Sequence, residues 1–217
     1  MAEPAARLAV DIVSDSVCPW CWIGKKRFEA ALAARPHVAV AIRWRPYRLN
    51  PEIPPEGLDR DALLARKFGS LDRARALFAG IARAGAAEGL RFDFDRIRRA
   101  PDTSDSHRLI RWAGSAAVAD AVVEGVFSAF FAEGRDISDH EVLCEIAARA
   151  GMDSALVARL LAGDEDRDAV REEIAIARRM GINGVPAFIF DGRFLVTGAE
   201  PPDLLGQALD RALAEAA

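Results

Sequence analysis

The feature that most limits how this chain can fold is a pair of cysteines, Cys18 and Cys21, set between an apolar run and an amphipathic stretch. Leu8 to Val13 reads LAVDIV, rich in β-branched residues and interrupted only by Asp11. Such a run predicts a strand buried on both faces of a parallel or mixed sheet. Ser14-Asp15-Ser16-Val17 makes a short loop, and Pro19 then occupies the favoured first position of a helix running to about Ala34. Trp20, Gly24, Phe28, Ala31 and Leu32 recur at helical spacing and predict its buried stripe.

A strand, a tight loop and a helix opening on Cys-Pro-Trp-Cys give the two thiols different chemistry. Cys18 meets the unpaired N–H groups and the positive end of the helix, which favour the thiolate, the nucleophilic form of cysteine. Cys21 lies one turn on, on the same side, where it can attack a mixed disulfide formed at Cys18. Its place inside the first turn predicts the more buried and less reactive thiol. A competing reading joins both cysteines to His140 and Cys144, which share a helix face four residues apart, in a zinc site. No second Cys-x-x-Cys exists, and strand–CxxC–helix order favours redox chemistry, so no metal is expected. Cys144 borders the apolar stripe Leu143, Ile146, Ala147 and Ala150 and reads as a small hydrophobe.

Beyond the motif, Val38 to Trp44 predicts a second strand, and the proline-rich stretch Arg45 to Gly57 reads as an irregular connector. From about Leu58 to Ala162 the pattern is helical throughout, with segments near 59–67, 71–88, 105–119, 120–133, 139–150 and 153–162. Ser138 and Glu141 are spaced as a capping box. A further helix from Asp166 to Met180 precedes two short strands, Ala187–Phe190 and Phe194–Val196, joined by the hairpin signal Asp191-Gly192. A last helix spans about Pro202 to Ala216. Glu173 falls inside the apolar stripe of its helix, either reaching water at an interdomain edge or lining the active-site cleft.

The chain has 217 residues, half of them apolar, enough for one large domain or one carrying an insertion. A net charge of −4 with interspersed signs excludes the clustered basic surplus of a nucleic-acid binder. No apolar stretch approaches the ~20 residues of a membrane span, and the first residues lack a signal-like apolar region. A soluble, cytoplasmic protein is expected. Three cysteines do not make a disulfide framework.

Three segments in order, Ser14-Asp15-Ser16-Val17-Cys18-Pro19-Trp20-Cys21-Trp22-Ile23-Gly24-Lys25, Trp44-Arg45-Pro46-Tyr47-Arg48-Leu49-Asn50-Pro51 and Gly181-Ile182-Asn183-Gly184-Val185-Pro186, resemble the DsbA family, specifically its FrnE-like branch. Gly198-Ala199-Glu200-Pro201 resembles it too. The resemblance covers nearly the whole chain. It implies an α/β thioredoxin fold, residues 1–50 and 164–217, interrupted by an all-helical insertion, residues 51–163. It implies a thiol–disulfide oxidoreductase, reductase or isomerase, acting on protein or peptide disulfides. No bound cofactor is implied beyond the Cys18–Cys21 redox pair, with glutathione as a candidate co-substrate. Pro186 matches the family's cis-proline facing the dithiol, with Val185 and Trp20 beside it as substrate contacts. Asp11 matches an acid that relatives carry inside the first strand as a proton relay for Cys21; the residues alone equally allow an idle, wet carboxylate. His107 matches a segment near the substrate, although Asp102 and Ser106 depart from that pattern. A helix-start role, with Thr103 or Asp105 as cap, competes with substrate contact. The same insertion architecture occurs in 2-hydroxychromene-2-carboxylate isomerases and kappa-class glutathione transferases, the alternative function. Those relatives generally carry Ser where this chain has Cys18.

Overall fold

The computed structural model describes residues 8–216. Its centre is a four-stranded mixed sheet in the order β2-β1-β5-β6. Strand β1 (Leu8–Ser14) pairs parallel with β2 (Val40–Pro46) and antiparallel with β5 (Ala187–Phe190), which pairs antiparallel with β6 (Phe194–Thr197). Being interior, β1 is covered on both faces, which is why its sequence is a near-continuous apolar run. Three residues, Asp191-Gly192-Arg193, join β5 to β6; positive φ at Asp191 (51°) and Gly192 (68°) closes the turn, with the Arg193 N–H donating to the Phe190 carbonyl at 2.9 Å.

Side chains alternate across the sheet. Val10 and Ile12 of β1, with Phe188 and Phe190 of β5, face helices α1 (Pro19–Ala33) and α9 (Pro202–Ala216) through Phe28, Leu205 and Leu209. Val13, Ala187 and Ile189 face the opposite side with Ala177 of α8 (Arg167–Arg179). Phe188 and Phe190 are wholly buried, and truncating either to Ala removes about 3–5 kcal/mol.

Between β2 and α8 lies the insertion: α2 (Arg60–Phe68), α3 (Leu71–Ala87), α4 (Ser104–Ser115), α5 (Ala119–Phe127), α6 (His140–Arg149) and α7 (Ser154–Ala162). It departs from an unbroken helical reading in two places. Leu58–Asp59 and Arg99–Ala100 form a short antiparallel ladder. Gly57 permits it: at φ 71°, a Cβ there would lie 2.9 Å from the Ala100 carbonyl oxygen. The segment expected as one helix over 120–133 is α5 followed by a π-helical stretch, Ser128–Ala132, which carries Phe130 and Phe131. The expected capping box is also replaced. Asp139 caps α6 by accepting from the Glu141 N–H at 2.8 Å, because the Ser138 hydroxyl donates to Asp136 instead. Arg108, fully buried in α4, donates to the carbonyls of Leu160, Gly163 and Glu165 and so ties the insertion to the loop before α8.

Helix α1 serves two cores. Its later residues Phe28 and Ala31 pack on the sheet, whereas Cys18, Cys21, Trp22 and Ile23 belong to the core of the insertion. The predicted stripe fails at its start for this reason: Trp20 is 40 % exposed, while Trp22 is buried and stacks on Phe127 and Phe131 with ring centroids 6.2 and 6.0 Å away.

Candidate active site

Cys18 is the N-cap of α1, in extended conformation (φ −96°, ψ 109°), and Pro19 begins the helix. The Cys18 N–H donates to the Asp15 carbonyl and its own carbonyl accepts from the Cys21 N–H, both at 3.0 Å. These bonds close the turn and set both sulfurs on one side. Cys21 is 1 % exposed and Cys18 3 %. Burial pushes the Cys21 thiol well above its ordinary range, and the neighbouring Cys18 sulfur pushes the same way. The Ser14 hydroxyl and the Asp15 backbone oppose this only in part. The site thus keeps the inner sulfur protonated beside the outer one, the asymmetry a two-step exchange requires.

Facing the turn is the Val185–Pro186 peptide bond, which is cis. The Cys18 Sγ donates to the Val185 carbonyl at 3.4 Å. Gly24 allows the loop to approach α1, since a Cβ there would lie 2.9 Å from Pro186 Cγ. An apolar groove of about 550 Å³ opens at this junction, lined by Cys18, Trp20, Leu49, Phe130, Phe131 and Val185 among others. The structure therefore brings Cys18, Cys21, Pro186, Val185 and Trp20 together.

Comparison with known proteins agrees with this geometry. The DSBA-like thioredoxin domain profile matches residues 9–210. This chain belongs to that family. A probable DsbA oxidoreductase of Streptomyces coelicolor is 36 % identical, with a TM-score of 0.88 covering 96 % of this chain and 91 % of that one. The Bacillus subtilis protein YwbO, whose function is uncharacterised, is 26 % identical over 92 % of this chain and 94 % of its own length. The cytosolic disulfide reductase DsbM of Pseudomonas aeruginosa shares the fold at 20 % identity, with a TM-score of 0.67 over 95 % of this chain and 99 % of that one.

Within this DsbA-like site, two expected residues stand elsewhere. Asp11 does not lie under the dithiol. Alternation along β1 turns it to the α8 face, where it pairs with Arg43 and Arg45 at 2.8 and 2.9 Å. Ser14, on the Ile12 face, is the β1 side chain that reaches Cys21. His107 is buried and does not line the dithiol groove; its Nε2 lies 2.9 Å from the Tyr47 carbonyl oxygen. It holds the loop after β2, in keeping with the helix-start reading. Thr103, one of the two expected caps, holds the N-cap position of α4 but makes no side-chain capping bond; Asp102, just before it, accepts from the Ser104 N–H at 2.7 Å. Glu173 is remote from the dithiol groove and is paired with Arg45 and Arg111.

Asp15 is the residue that sequence reasoning passed over. It is 1 % exposed; its carbonyl accepts from Cys18 and its Oδ2 accepts from the Leu49 N–H at 2.7 Å. Oδ1 has no hydrogen-bond partner among the described residues and lies 3.5 Å from His107 Nε2. Its position three residues before Cys18 was the available signal. A second anchor joins α1 to α5. The Trp22 indole donates to Glu124 at 3.1 Å, and buried Lys25 contacts Glu29, Asp120 and Glu124. Burial pushes the Lys25 ammonium down, but these three carboxylates outweigh it and leave it above its ordinary range.

Cys144 is half-buried against the insertion core, with its thiol pushed up by burial and by Asp139. His140 Nε2 lies 2.8 Å from Asp105. No group of three His, Cys, Asp or Glu side chains is poised to hold a metal among the described residues.

Proposed function

We propose that this protein exchanges disulfides with protein or peptide clients through Cys18 and Cys21, in the reducing or isomerising direction. The observation that supports this best is the complete dithiol at the α1 N-terminus, with the inner thiol held protonated and the outer one opening on an apolar groove. In reduction, the Cys18 thiolate attacks one sulfur of the client disulfide, and the departing client sulfur leaves as a thiolate that takes up a proton. The Cys21 thiol then loses its proton and attacks Cys18 in the mixed disulfide. The second client thiol departs, and the two electrons of the dithiol have passed to the client as Cys18–Cys21 closes. Glutathione is the small thiol we assign to recycling that disulfide, in a reducing compartment such as the cytoplasm.

The Val185 carbonyl accepts from Cys18 and keeps a second lone pair, so an extended client segment can add to the Val185 backbone beside Cys18.

The test is reduction of insulin by the reduced protein with glutathione as electron source, run beside conjugation of glutathione to an electrophilic aromatic substrate. Insulin reduction that disappears in Cys18→Ser supports the proposal. Conjugation without insulin reduction overturns it in favour of the transferase and isomerase branch.

A further inference from the structure

The groove beside Cys18 has a charge character that disulfide exchange alone does not require. Its walls are apolar, and two of their side chains, Trp20 and Leu77, are left 40 % and 53 % exposed. Arg60, Lys67 and Arg99 also line it, and no Asp or Glu does, in a chain whose net charge is −4.

Arg60 is the informative one. It is half-buried, with its guanidinium over the Phe78 ring at 5.0 Å from the centroid and its backbone N–H on the Arg98 carbonyl. Among the described residues it has no ion-pair partner, whereas Arg43, Arg45 and Arg111 on the far side of the sheet are all paired. Burial pushes its guanidinium below the ordinary range, which Asp61 and Asp95 offset only in part. The nearest polar partner of Lys67 is an uncharged amide, Asn50 Oδ1 at 2.9 Å. Arg99 is paired with Asp136 outside the groove. Asp61 and Asp95 line an adjoining cleft with Arg60 and lie outside this groove, so within the groove the half-buried guanidinium has no carboxylate at pairing distance, a place that an anion can complete.

We propose that the groove selects an acidic, apolar stretch of the client polypeptide next to its disulfide, with Arg60 and Lys67 receiving the carboxylate. This rests on the exchange activity proposed above and names its substrate class. The client's apolar side chains would cover Trp20 and Leu77 while its cysteine meets Cys18. A groove of about 550 Å³ lies within the range of sites that enclose several side chains. Main-chain pairing at Val185 supplies no side-chain selectivity, so discrimination between clients falls to these cations.

The experiment uses three peptide disulfides that share an apolar frame and carry Glu, Gln or Lys two residues from the cysteine. Their reduction by the reduced protein is measured and normalised to reduction of the same peptides by dithiothreitol. The expected order is Glu over Gln over Lys, with about tenfold between the ends at low ionic strength and a smaller gap in high salt. In the double variant Arg60→Met, Lys67→Met, which keeps aliphatic stems in place, the gap narrows to within about twofold. A gap that survives in that variant overturns the assignment to these two residues. Equal normalised rates for all three peptides overturn the selectivity and leave exchange standing; no reduction of any peptide overturns exchange itself. Preference for 5,5′-dithiobis(2-nitrobenzoate) over cystamine, with no preference among the peptides, overturns the polypeptide as occupant.

Discussion

Two clefts of similar size flank the active-site turn, and they differ in how their charges are balanced. The groove at Cys18, about 550 Å³, is apolar with cations that lack carboxylates within it. The cleft behind β2, about 460 Å³, is walled by Arg43, Arg45, Arg111, Asp166 and Glu173. Its arginines are matched: Asp11 takes Arg43 and Arg45, while Glu173 takes Arg45 and Arg111. Volume does not separate these clefts. Access to Cys18 and uncompensated charge do, because a satisfied ion-pair network resists admitting a ligand that must break it.

The largest effect that could break this contrast is at the nucleophile. Cys18→Ser should reduce insulin reduction to background while leaving thermal unfolding little changed, whereas Glu173→Gln should leave the exchange rate within about twofold. A large rate loss in Glu173→Gln would make the far cleft part of the reaction. Next comes stability of the charged cleft. Arg45→Met leaves two partly buried carboxylates short of a partner and should lower unfolding free energy by about 1–3 kcal/mol, between the exposed and buried limits for ion pairs. Denaturant titration measures it, and no loss would mean that the network is solvated.

A pH series sharpens the contrast between the two sulfurs themselves. Cys21 is held well above the ordinary thiol value of 9.0 by burial first and by Cys18 second. Iodoacetamide at neutral pH should therefore label Cys18 and spare Cys21, with Cys21 reacting only in strongly alkaline solution. A thiol whose folded value is raised binds its proton more tightly in the fold, so its contribution is complete below the ordinary value and is lost as pH rises toward the folded one. Reduced protein should thus lose stability through the alkaline range more steeply than Cys21→Ala. The smallest effect belongs to Cys144, which lines neither cleft. Cys144→Ala should change stability by less than about 1 kcal/mol and leave exchange intact.

Much of the site was legible because its parts are local. The β-branched run, Pro19 at a helix start and the Asp191-Gly192 hairpin each follow from preferences acting over a few residues, and all three stand in the structure. The α2–α7 block was legible in outline for the same reason. Its short ladder between Leu58–Asp59 and Arg99–Ala100 was not, because that ladder joins Leu58 to Ala100, forty-two positions apart, through two residues per strand. Segments so short carry no periodic signal.

What the sequence determined by itself is the order of elements, the place of the dithiol at a helix N-terminus and the identity of the two thiols in it. Tertiary structure alone decided which groups surround them. Alternation along β1 says that Asp11 and Ile12 point opposite ways, but only the packing of α1 against the Ile12 face shows that Asp11 is turned from Cys21. Asp15 reads as an ordinary loop carboxylate until Leu49 and His107 close over it. Arg60 reads as one cation among many until the neighbouring helices desolvate it without a partner. Burial and charge balance are sums over chain segments far apart in sequence, so no local pattern can carry them.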